Sequence, residues 1–264
     1  MSYRDKQYET ALATVENGIG IVQLNRPKAF NAVNVQLLED TYEILEGFHL
    51  DPEVKVIIIT GNEKAFAAGA DIKAVNGFNA FEARDFLDKV HKTVFMIEDN
   101  HKPTISAVQG LALGGGLELA IACDIHVFAE NATLGLPEIN IGIFPGAGGT
   151  QRLPRMTAIN KAKEFIFTGD FFDGKTAERV GIANVAVPTE EVMATAKKYA
   201  KKISKKSPLA LREAKQAVNN SMNTDIKTGC RSEQIAWSML FSGEDQKEGM
   251  KAFLENRPAE FKGK

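Results

Sequence analysis

The stretch Val-Lys-Val-Ile-Ile-Ile-Thr at positions 54–60 is almost continuously apolar and rich in β-branched residues. A strand of this composition is typical of a parallel sheet that is covered on both faces. Two further strands are predicted at positions 103–108 and 125–129, and segments of helical periodicity separate the three. Strands that alternate with helices predict crossover units, and therefore an α/β fold with parallel strands.

Upstream of this strand, the sequence predicts a β-hairpin and a helix. Residues 11–16 and 19–24 alternate in hydrophobicity around an Asn-Gly pair, which favours a tight hairpin turn. A helical period then runs from about Asn34 to Leu50. Positions 61–77 are rich in Ala and Gly, and we expect a loop there.

Beyond Val187 the chain becomes helical throughout. Four helical segments follow without an intervening strand, at positions 190–206, 208–221, 224–241 and 244–256. A helical C-terminal lobe on an α/β core is the simplest architecture that fits this order. Trp237 and the phenylalanines at 165, 167, 171 and 172 are expected in the core rather than at a ligand.

Composition argues against several classes of function. The 264 residues are 44% hydrophobic and 25% charged, with a net charge of −2, so no basic field favours nucleic acid or an acidic membrane. The first residues form no apolar secretory segment and no stretch is long enough to span a bilayer, so we expect a cytoplasmic protein. The two cysteines and four histidines show no ligand spacing, and we expect no metal site.

Two glutamates near the middle of the chain are candidates for acid–base catalysis. Glu118 follows the triplet Gly114-Gly115-Gly116 at a predicted strand-to-helix junction, and Glu138 lies in Leu-Pro-Glu-Ile ahead of a second glycine cluster. Either carboxylate alone is explained equally well by the helix dipole, which favours negative charge in a first helical turn. As a pair, one acid and one base in different environments could add water across an activated double bond.

Small residues beside these glutamates could expose backbone amides to a ligand. The segment from Ala65 to Lys73 follows the strand at 54–60, and the glycine triplet follows the strand at 103–108. Ligands of parallel sheets lie beyond the carboxyl ends of the strands, so both segments are expected at one site. An N–H group near Ala70 and that of Gly115 could then converge on one oxygen, although ordinary tight turns would explain either segment alone.

One match to a phosphate-binding loop is rejected. Residues 169–176, Gly-Asp-Phe-Phe-Asp-Gly-Lys-Thr, fit the pattern G-x-x-x-x-G-K-[ST]. Such a loop requires a buried strand before it, whereas residues 160–168 have the spacing of a helix. Asp170 and Asp173 would also place negative charge beside the phosphates. A nucleotide-binding protein that uses Lys175 is therefore a minor alternative.

At these residues the chain resembles the crotonase family, and within it the short-chain enoyl-CoA hydratases. The matching stretches follow the family order through essentially the whole chain, at residues 25–32, 65–73, 110–124, 137–139, 142–153, 168–170 and 244–250. The resemblance implies a crotonase-like spiral of ββα units with a helical C-terminal lobe. It implies a core with the acyl-CoA site at residues 1–200 and a helical oligomerisation lobe at 201–264, assembled as a homotrimer or as a dimer of trimers, a homohexamer.

The resemblance also implies the reaction, which is the addition of water to a trans-2-enoyl-CoA in fatty-acid or butyrate-type metabolism. The thioester oxygen would accept hydrogen bonds from the amides of Ala70 and Gly115. Glu138 would exchange the proton at C2, and Glu118 would activate the water that adds at C3. The acyl-CoA thioester is the substrate, and no separate cofactor is expected. Further positions that match substrate-binding segments are Lys28, Ala32, Ala68, Asp71, Ile72, Lys73 and Gly146, the last beside the catalytic water.

Other activities of the same family stay open. Double-bond isomerases generally keep the carboxylate at position 138 and lose the one at 118. Hydration of a branched or cyclic acyl-CoA is also compatible, because residues 75–86, which usually shape the acyl pocket, match least. A non-catalytic RNA-binding member is disfavoured by the near-zero net charge. Asn256 stands where some hydratases carry a lysine that faces the CoA phosphates, which leaves open the role of the C-terminal tail in CoA binding.

Overall fold

The computed structural model describes residues 3–264, and the strands of this part of the chain form two sheets. The larger sheet has six strands in the order β1-β2-β3-β5-β7-β9, and the smaller has three in the order β4-β6-β8. The bounds of the strands are β1 Ala11–Glu16, β2 Ile19–Leu24, β3 Val56–Thr60, β4 Ala65–Ala67, β5 Thr104–Val108, β6 Leu111–Leu113, β7 Ile125–Ala129, β8 Thr133–Gly135 and β9 Val185–Val187. Only the β1–β2 hairpin is antiparallel among these strands.

The helices surround both sheets and continue into a C-terminal lobe. Their bounds are α1 Val35–Leu50, α2 Ile72–Val75, α3 Ala80–Glu98, α4 Gly115–Ala120, α5 Gly149–Met156, α6 Ile159–Thr168, α7 Gly174–Arg179, α8 Val192–Ile203, α9 Pro208–Asn220, α10 Ile226–Met239 and α11 Glu244–Leu254. None of them is both long and apolar enough to cross a membrane, as far as the described residues go.

Three consecutive units share one pattern, in which a strand of the large sheet is followed by a strand of the small sheet and then by helical structure. β3 and β4 lead to α2 and α3, β5 and β6 lead to α4, and β7 and β8 lead to a 3-10 helix at Pro137–Ile141. Because β4, β6 and β8 lie side by side in the same order as β3, β5 and β7, the units stack as a spiral. The α/β spiral with a helical lobe is therefore confirmed.

The predicted hairpin, the buried strands and the long helices are confirmed. Asn17 and Gly18 have φ angles of 51° and 80°, the left-handed pair that a two-residue hairpin turn requires. All five residues of β3 are buried, as its composition predicts. The strand β5 is buried because α8, β4 and α4 all pack on it.

The loop predicted at positions 61–77 is wrong in part, since this segment contains β4 and α2. The small residues there serve close packing: a β-carbon on Gly116 would lie 2.0 Å from the carbonyl oxygen of Ala67 in β4. The three-residue strands β6, β8 and β9 were not predicted, because three residues are too few to show an alternation.

The C-terminal lobe differs from the core in its burial. Helix α8 contacts β2, β3, β5 and β7, and it buries Val192, Ala196 and Ala200 at a spacing of four residues. Neither α9 nor α10 has a buried residue. The division into residues 1–200 and 201–264 stays a prediction, and its boundary falls within α8.

Candidate active site

Glu118 is held by backbone amides inside the protein. It lies in the first turn of α4 and only 2% of its surface is exposed. Its Oε1 accepts hydrogen bonds from the amides of Ala147 (2.8 Å) and Gly149 (2.7 Å). Two N–H donors on one oxygen fix the orientation of the carboxylate and compensate part of the cost of burying it.

The glycines at 148 and 149 make this arrangement possible. Gly148 has a φ angle of +105°, in the left-handed region that favours glycine, and this turns the chain so that the amides on either side of it reach the carboxylate. A β-carbon on Gly149 would lie 3.0 Å from Oε1 of Glu118. The second glycine cluster therefore forms the loop whose amides bind Glu118.

Glu138 approaches the same glycine triplet from the following unit. It is the second residue of the 3-10 helix at Pro137–Ile141, where Pro137 occupies the first helical position, a place that proline favours. A β-carbon on Gly114 would lie 2.7 Å from its Oε1. Its Oε2 is buried and has no hydrogen-bond partner in the described part of the chain. A buried carboxylate oxygen without a partner is costly in a folded protein, which favours a functional reason for its position.

Burial shifts the titration of both carboxylates towards neutrality. Burial is the largest cause that raises the pKa of Glu118, to about 7, and the nearby charge of Glu138 raises it further. The amides of Gly149 and Ala147 and the charge of Arg152 act in the opposite direction. Burial also raises the pKa of Glu138. A group that titrates near neutral pH, as Glu118 does, can accept and donate a proton in one catalytic cycle.

The two amides predicted to bind an oxyanion lie on neighbouring segments. A β-carbon on Gly114 would lie 3.7 Å from the Cα of Gly69, so the turns before Ala70 and Gly115 touch. Ala70 and Gly115 are both half-buried. Within residues 3–264, neither of their amides donates a hydrogen bond to the protein. Both amides are therefore free to donate to one ligand oxygen.

The Ala70 segment is held in place by its neighbours. The amide of Val33 donates to the carbonyl of Gly69 (2.7 Å), and the amide of Asp71 donates to the carbonyl of Val33 (2.8 Å). The carboxylate of Asp71 forms an ion pair with Arg26 at 3.0 Å. These two bonds join the segment to Val33 and fix its backbone. The amide of Ala70, which lies between them, takes no part in this bridge.

The other positions predicted to bind substrate divide into three groups. Ala32 and Ala68 lie near the Ala70 turn, since the amide of Ala68 donates to Phe30 and the carbonyl of Ala32 accepts from Arg26. Lys28, Ile72 and Lys73 are exposed. Gly146 packs against α3 instead: a β-carbon there would lie 3.1 Å from a methyl carbon of Leu87. Their roles in binding stay predictions.

Asn31 supports this region and was not predicted. It is fully buried and has a φ angle of +56°. Its Oδ1 accepts from the amide of Arg26 (2.7 Å), and its Nδ2 donates to the carbonyls of Ala65 and Phe66 (3.0 Å each). Asn is among the few residues that adopt left-handed backbone readily, which is the signal in the sequence that could have identified it.

The rejection of the phosphate-binding loop is confirmed. Helix α6, not a strand, precedes residues 169–176, and Gly169 ends that helix with a φ angle of +64°. Asp173 caps α7 by accepting from the amide of Thr176. The side chain of Lys175 is exposed and forms an ion pair with Glu130 at 2.7 Å.

The expected core position of several aromatic residues is wrong. Phe165 and Phe172 are buried and stack at 4.2 Å, as expected. Phe167, Phe171 and Trp237 are instead exposed on the surface of the single chain. In the described residues, no group of three or more His, Cys, Asp or Glu side chains is placed to hold a metal ion.

Known proteins resemble this chain over nearly its full length. Residues 14–264 match the family model described as enoyl-CoA hydratase/isomerase. The chain is 43% identical to a crotonyl-CoA hydratase of Syntrophomonas wolfei, over 96% of this chain and 98% of that protein. It is 43% identical to a short-chain-enoyl-CoA hydratase of Clostridium acetobutylicum, over 93% and 94% of the two chains. The crystal structure of an enoyl-CoA hydratase from Bacillus anthracis has a TM-score of 0.93 and 37% identity, over 97% of this chain and 100% of that one.

Proposed function

The chain belongs to the enoyl-CoA hydratase/isomerase family, and we propose that it is an enoyl-CoA hydratase. The reaction is the reversible addition of water to a trans-2-enoyl-CoA, which gives a 3-hydroxyacyl-CoA. The observation that carries the proposal is the convergence of Glu118 and Glu138 on the Gly114–Gly115 turn, beside two amides without a protein acceptor. Relatives with hydratase names support it, and two of them are named for crotonyl-CoA or short-chain substrates.

In the proposed reaction, the amides of Ala70 and Gly115 donate to the thioester oxygen and stabilise the negative charge that develops there. Loss of one such donor costs on the order of 3 kcal/mol in other enzymes. Glu118, as a carboxylate, takes a proton from water while the water oxygen bonds to C3. The electron pair of the double bond moves towards the thioester, and Glu138 delivers a proton to C2. The proton on Glu118 then returns to Glu138 through solvent, so both groups are restored, one water is consumed, and no oxidant or reductant is needed.

The substitutions Glu118→Gln and Glu138→Gln test the proposal directly. Each removes a proton-transfer group while keeping its size, so we expect turnover of crotonyl-CoA to fall by roughly 10²–10⁴-fold. The loss of crotonyl-CoA absorbance measures the rate, and Glu178→Gln, an exposed residue away from the site, is the control. Turnover near that of the wild type in either variant would exclude that glutamate from catalysis.

A panel of substrates separates hydration from the other activities of the family. We expect activity on short, straight trans-2-enoyl-CoA substrates such as crotonyl-CoA, with a 3-hydroxy product identified by mass. Conversion of a 3-enoyl-CoA without gain of water would instead indicate an isomerase. Preference for a branched or cyclic acyl group would show that residues 75–86 shape a different pocket.

We also propose that the chain assembles as a homotrimer or as a dimer of trimers through its C-terminal lobe. Apolar side chains of the lobe are exposed on the single chain, and Ile226, Phe253 and Leu254 are each 78–82% exposed. Large apolar patches of this kind usually mark interfaces between proteins. Light scattering during gel filtration should give three or six times the chain mass. The substitution Phe253→Glu should shift the mass towards the monomer, and a monomeric wild type would refute the proposal.

Three further properties of the enzyme are its cofactor requirement, its location in the cell and its other binding partners. We propose that it is cytoplasmic, uses no metal or separate cofactor, and binds neither nucleic acid nor membranes. Dialysis against a chelator should leave turnover unchanged. Cell fractionation tests the location and the lack of membrane binding, and an RNA shift assay at physiological salt tests the lack of nucleic-acid binding.

A further inference from the structure

Arg152 contacts the loop that holds Glu118, although it was not identified from the sequence. It lies in α5, and only 12% of its side chain is exposed. Its Nη1 donates to the carbonyl of Ala147 at 3.2 Å, and its Nη2 is paired with the carboxylate of Glu98. Ala147 thus donates to Glu118 through its N–H group and accepts from Arg152 through its carbonyl.

The guanidinium also lies directly against Gly148, the residue between the two amides that bind Glu118. A β-carbon at this position would lie 2.0 Å from Nη1, so only glycine leaves room for the guanidinium. The φ angle of Gly148 is +105°. Glycine at position 148 therefore permits both the left-handed turn and the present place of the guanidinium beside it.

Glu98 anchors the guanidinium from a different element. It is the last residue of α3, one turn after Phe95, whose ring centre lies 5.9 Å from the Cζ of Arg152. The aromatic ring and the carboxylate both restrict the position of the guanidinium. α3 therefore fixes the position of Arg152, and through it the position of the loop.

The buried guanidinium is itself costly, and it also acts on the charge of Glu118. The Nε of Arg152 is buried and has no hydrogen-bond partner in residues 3–264, which lowers the stability of the folded chain. Its positive charge opposes two effects that disfavour an ionised Glu118, which are burial and the charge of Glu138. The hydration reaction requires Glu118 as a carboxylate, and a nearby cation favours that form.

We propose that Arg152 is a positioning residue, which holds the loop of Ala147 to Gly149 on Glu118 and favours its ionised form, while Glu98 holds Arg152 in place. The inference rests on the proposed function, because it assigns Glu118 the part of the base. It predicts a specific dependence on pH that loss of packing alone would not produce. Arg152 does not touch the reacting atoms in this arrangement, so substrate affinity should change little.

The substitution Arg152→Gln tests the inference, with Arg155→Gln as a matched control. Arg155 lies in the same helix but is exposed and bonds only to the carbonyl of Gln151, among the described contacts. In Arg152→Gln, the acidic limb of the kcat profile should move to higher pH, since loss of an opposite charge raises the pKa of an acid. KM for crotonyl-CoA should stay within about twofold of the wild-type value, since the substitution is not expected to change the binding of the substrate.

Two further variants keep the test decisive if Arg152→Gln folds poorly. Arg152→Lys retains the charge, so its acidic limb should stay near that of the wild type while turnover falls. Glu98→Gln frees the guanidinium, so turnover should fall without a change in KM. An unmoved acidic limb in Arg152→Gln, with either normal or uniformly reduced turnover, would overturn the inference.

A measurement without substrate separates this inference from the proposed function. The carboxyl carbon of Glu118 can be titrated by ¹³C NMR in the intact protein and assigned by its loss in Glu118→Gln. Arg152→Gln should raise its midpoint relative to the wild type and to Arg155→Gln. A raised midpoint in a protein that hydrates no enoyl-CoA would refute the reaction but not the coupling of Arg152 to Glu118. An unchanged midpoint in an active hydratase would refute the coupling alone.

Discussion

Oε1 of Glu138 lies 2.7 Å from the point where a β-carbon on Gly114 would be. The glycine before α4 is thus needed for two reasons: its φ angle of +49° is unfavourable for other residues, and a side chain would displace the carboxylate. Since Gly115 supplies one of the two proposed oxyanion amides, the same turn positions the amide and admits the acid.

Gly114→Ala should therefore cost more activity than stability. The backbone strain costs about 1–2 kcal/mol in the free energy of unfolding, and displacement of Glu138 should reduce turnover roughly 10²-fold. Gly18→Ala is the control, because Gly18 has a φ angle of +80° in the hairpin turn and a β-carbon there would make only ordinary contacts. Urea unfolding and crotonyl-CoA turnover measure the two effects. Equal turnover in the two variants would contradict the steric role of Gly114.

Glu118→Gln should change the pH dependence of stability. Burial raises the pKa of Glu118 to about 7, above its ordinary value of 4.5, so the folded state binds a proton that the unfolded state has lost. The wild type therefore loses stability as the pH rises from about 4.5 to about 7, by on the order of 3 kcal/mol. The glutamine keeps an oxygen to accept from Ala147 and Gly149 but carries no charge.

The difference in the free energy of unfolding between Glu118→Gln and the wild type should accordingly shift in favour of the variant from pH 5 to pH 8. Urea unfolding at both pH values gives the difference, and Glu178→Gln, which changes an exposed carboxylate, controls for the loss of one charge. A constant difference across this range would show that Glu118 titrates like an exposed carboxylate.

Asn31→Ala should lower both stability and activity. The variant loses three hydrogen bonds, one from the amide of Arg26 and two to carbonyls of β4, of which that of Ala65 still accepts from the amide of Asn62. We expect a loss of about 2–4 kcal/mol in the free energy of unfolding, together with a higher KM. Asn17→Ala is matched, because Asn17 also has left-handed backbone (φ +51°) but lies exposed in the hairpin turn. If the two variants lose equal stability, backbone strain and not the hydrogen bonds explains the effect.

Asp245→Asn should release the C-terminal tail. The buried carboxylate accepts from the amides of Lys262 and Gly263 and from the hydroxyl of Ser207. An amide in its place turns one acceptor into a donor, so at least one of these bonds is lost. We expect faster cleavage by trypsin at the tail in limited proteolysis. Glu244→Gln, a neutralised exposed neighbour in the same helical turn, should be cleaved like the wild type. Equal cleavage of both variants would show that other contacts hold the tail.

Much of the fold and the pair of glutamates could be predicted from the sequence, because local signals identify them. The continuous apolar run of β3 and the Asn-Gly pair of the hairpin depend on neighbouring residues alone. Glu118 and Glu138 were recognised by the glycines and the proline around them. The strands β6 and β8 were not, because pairing with other strands, and not their own pattern, makes them strands.

What the sequence by itself determined is the order of strands and helices and the residue types that carry the chemistry. Tertiary structure decided which groups surround them. The amides on Glu118 come from 29 and 31 residues further along the chain, and Arg152 is anchored 54 residues away at Glu98. Contacts at such separations arise only when the units of the spiral stack, since no local periodicity records which loop will face which helix. The elevated pKa of Glu118 has the same origin, because burial is a property of the packed chain and not of the residue.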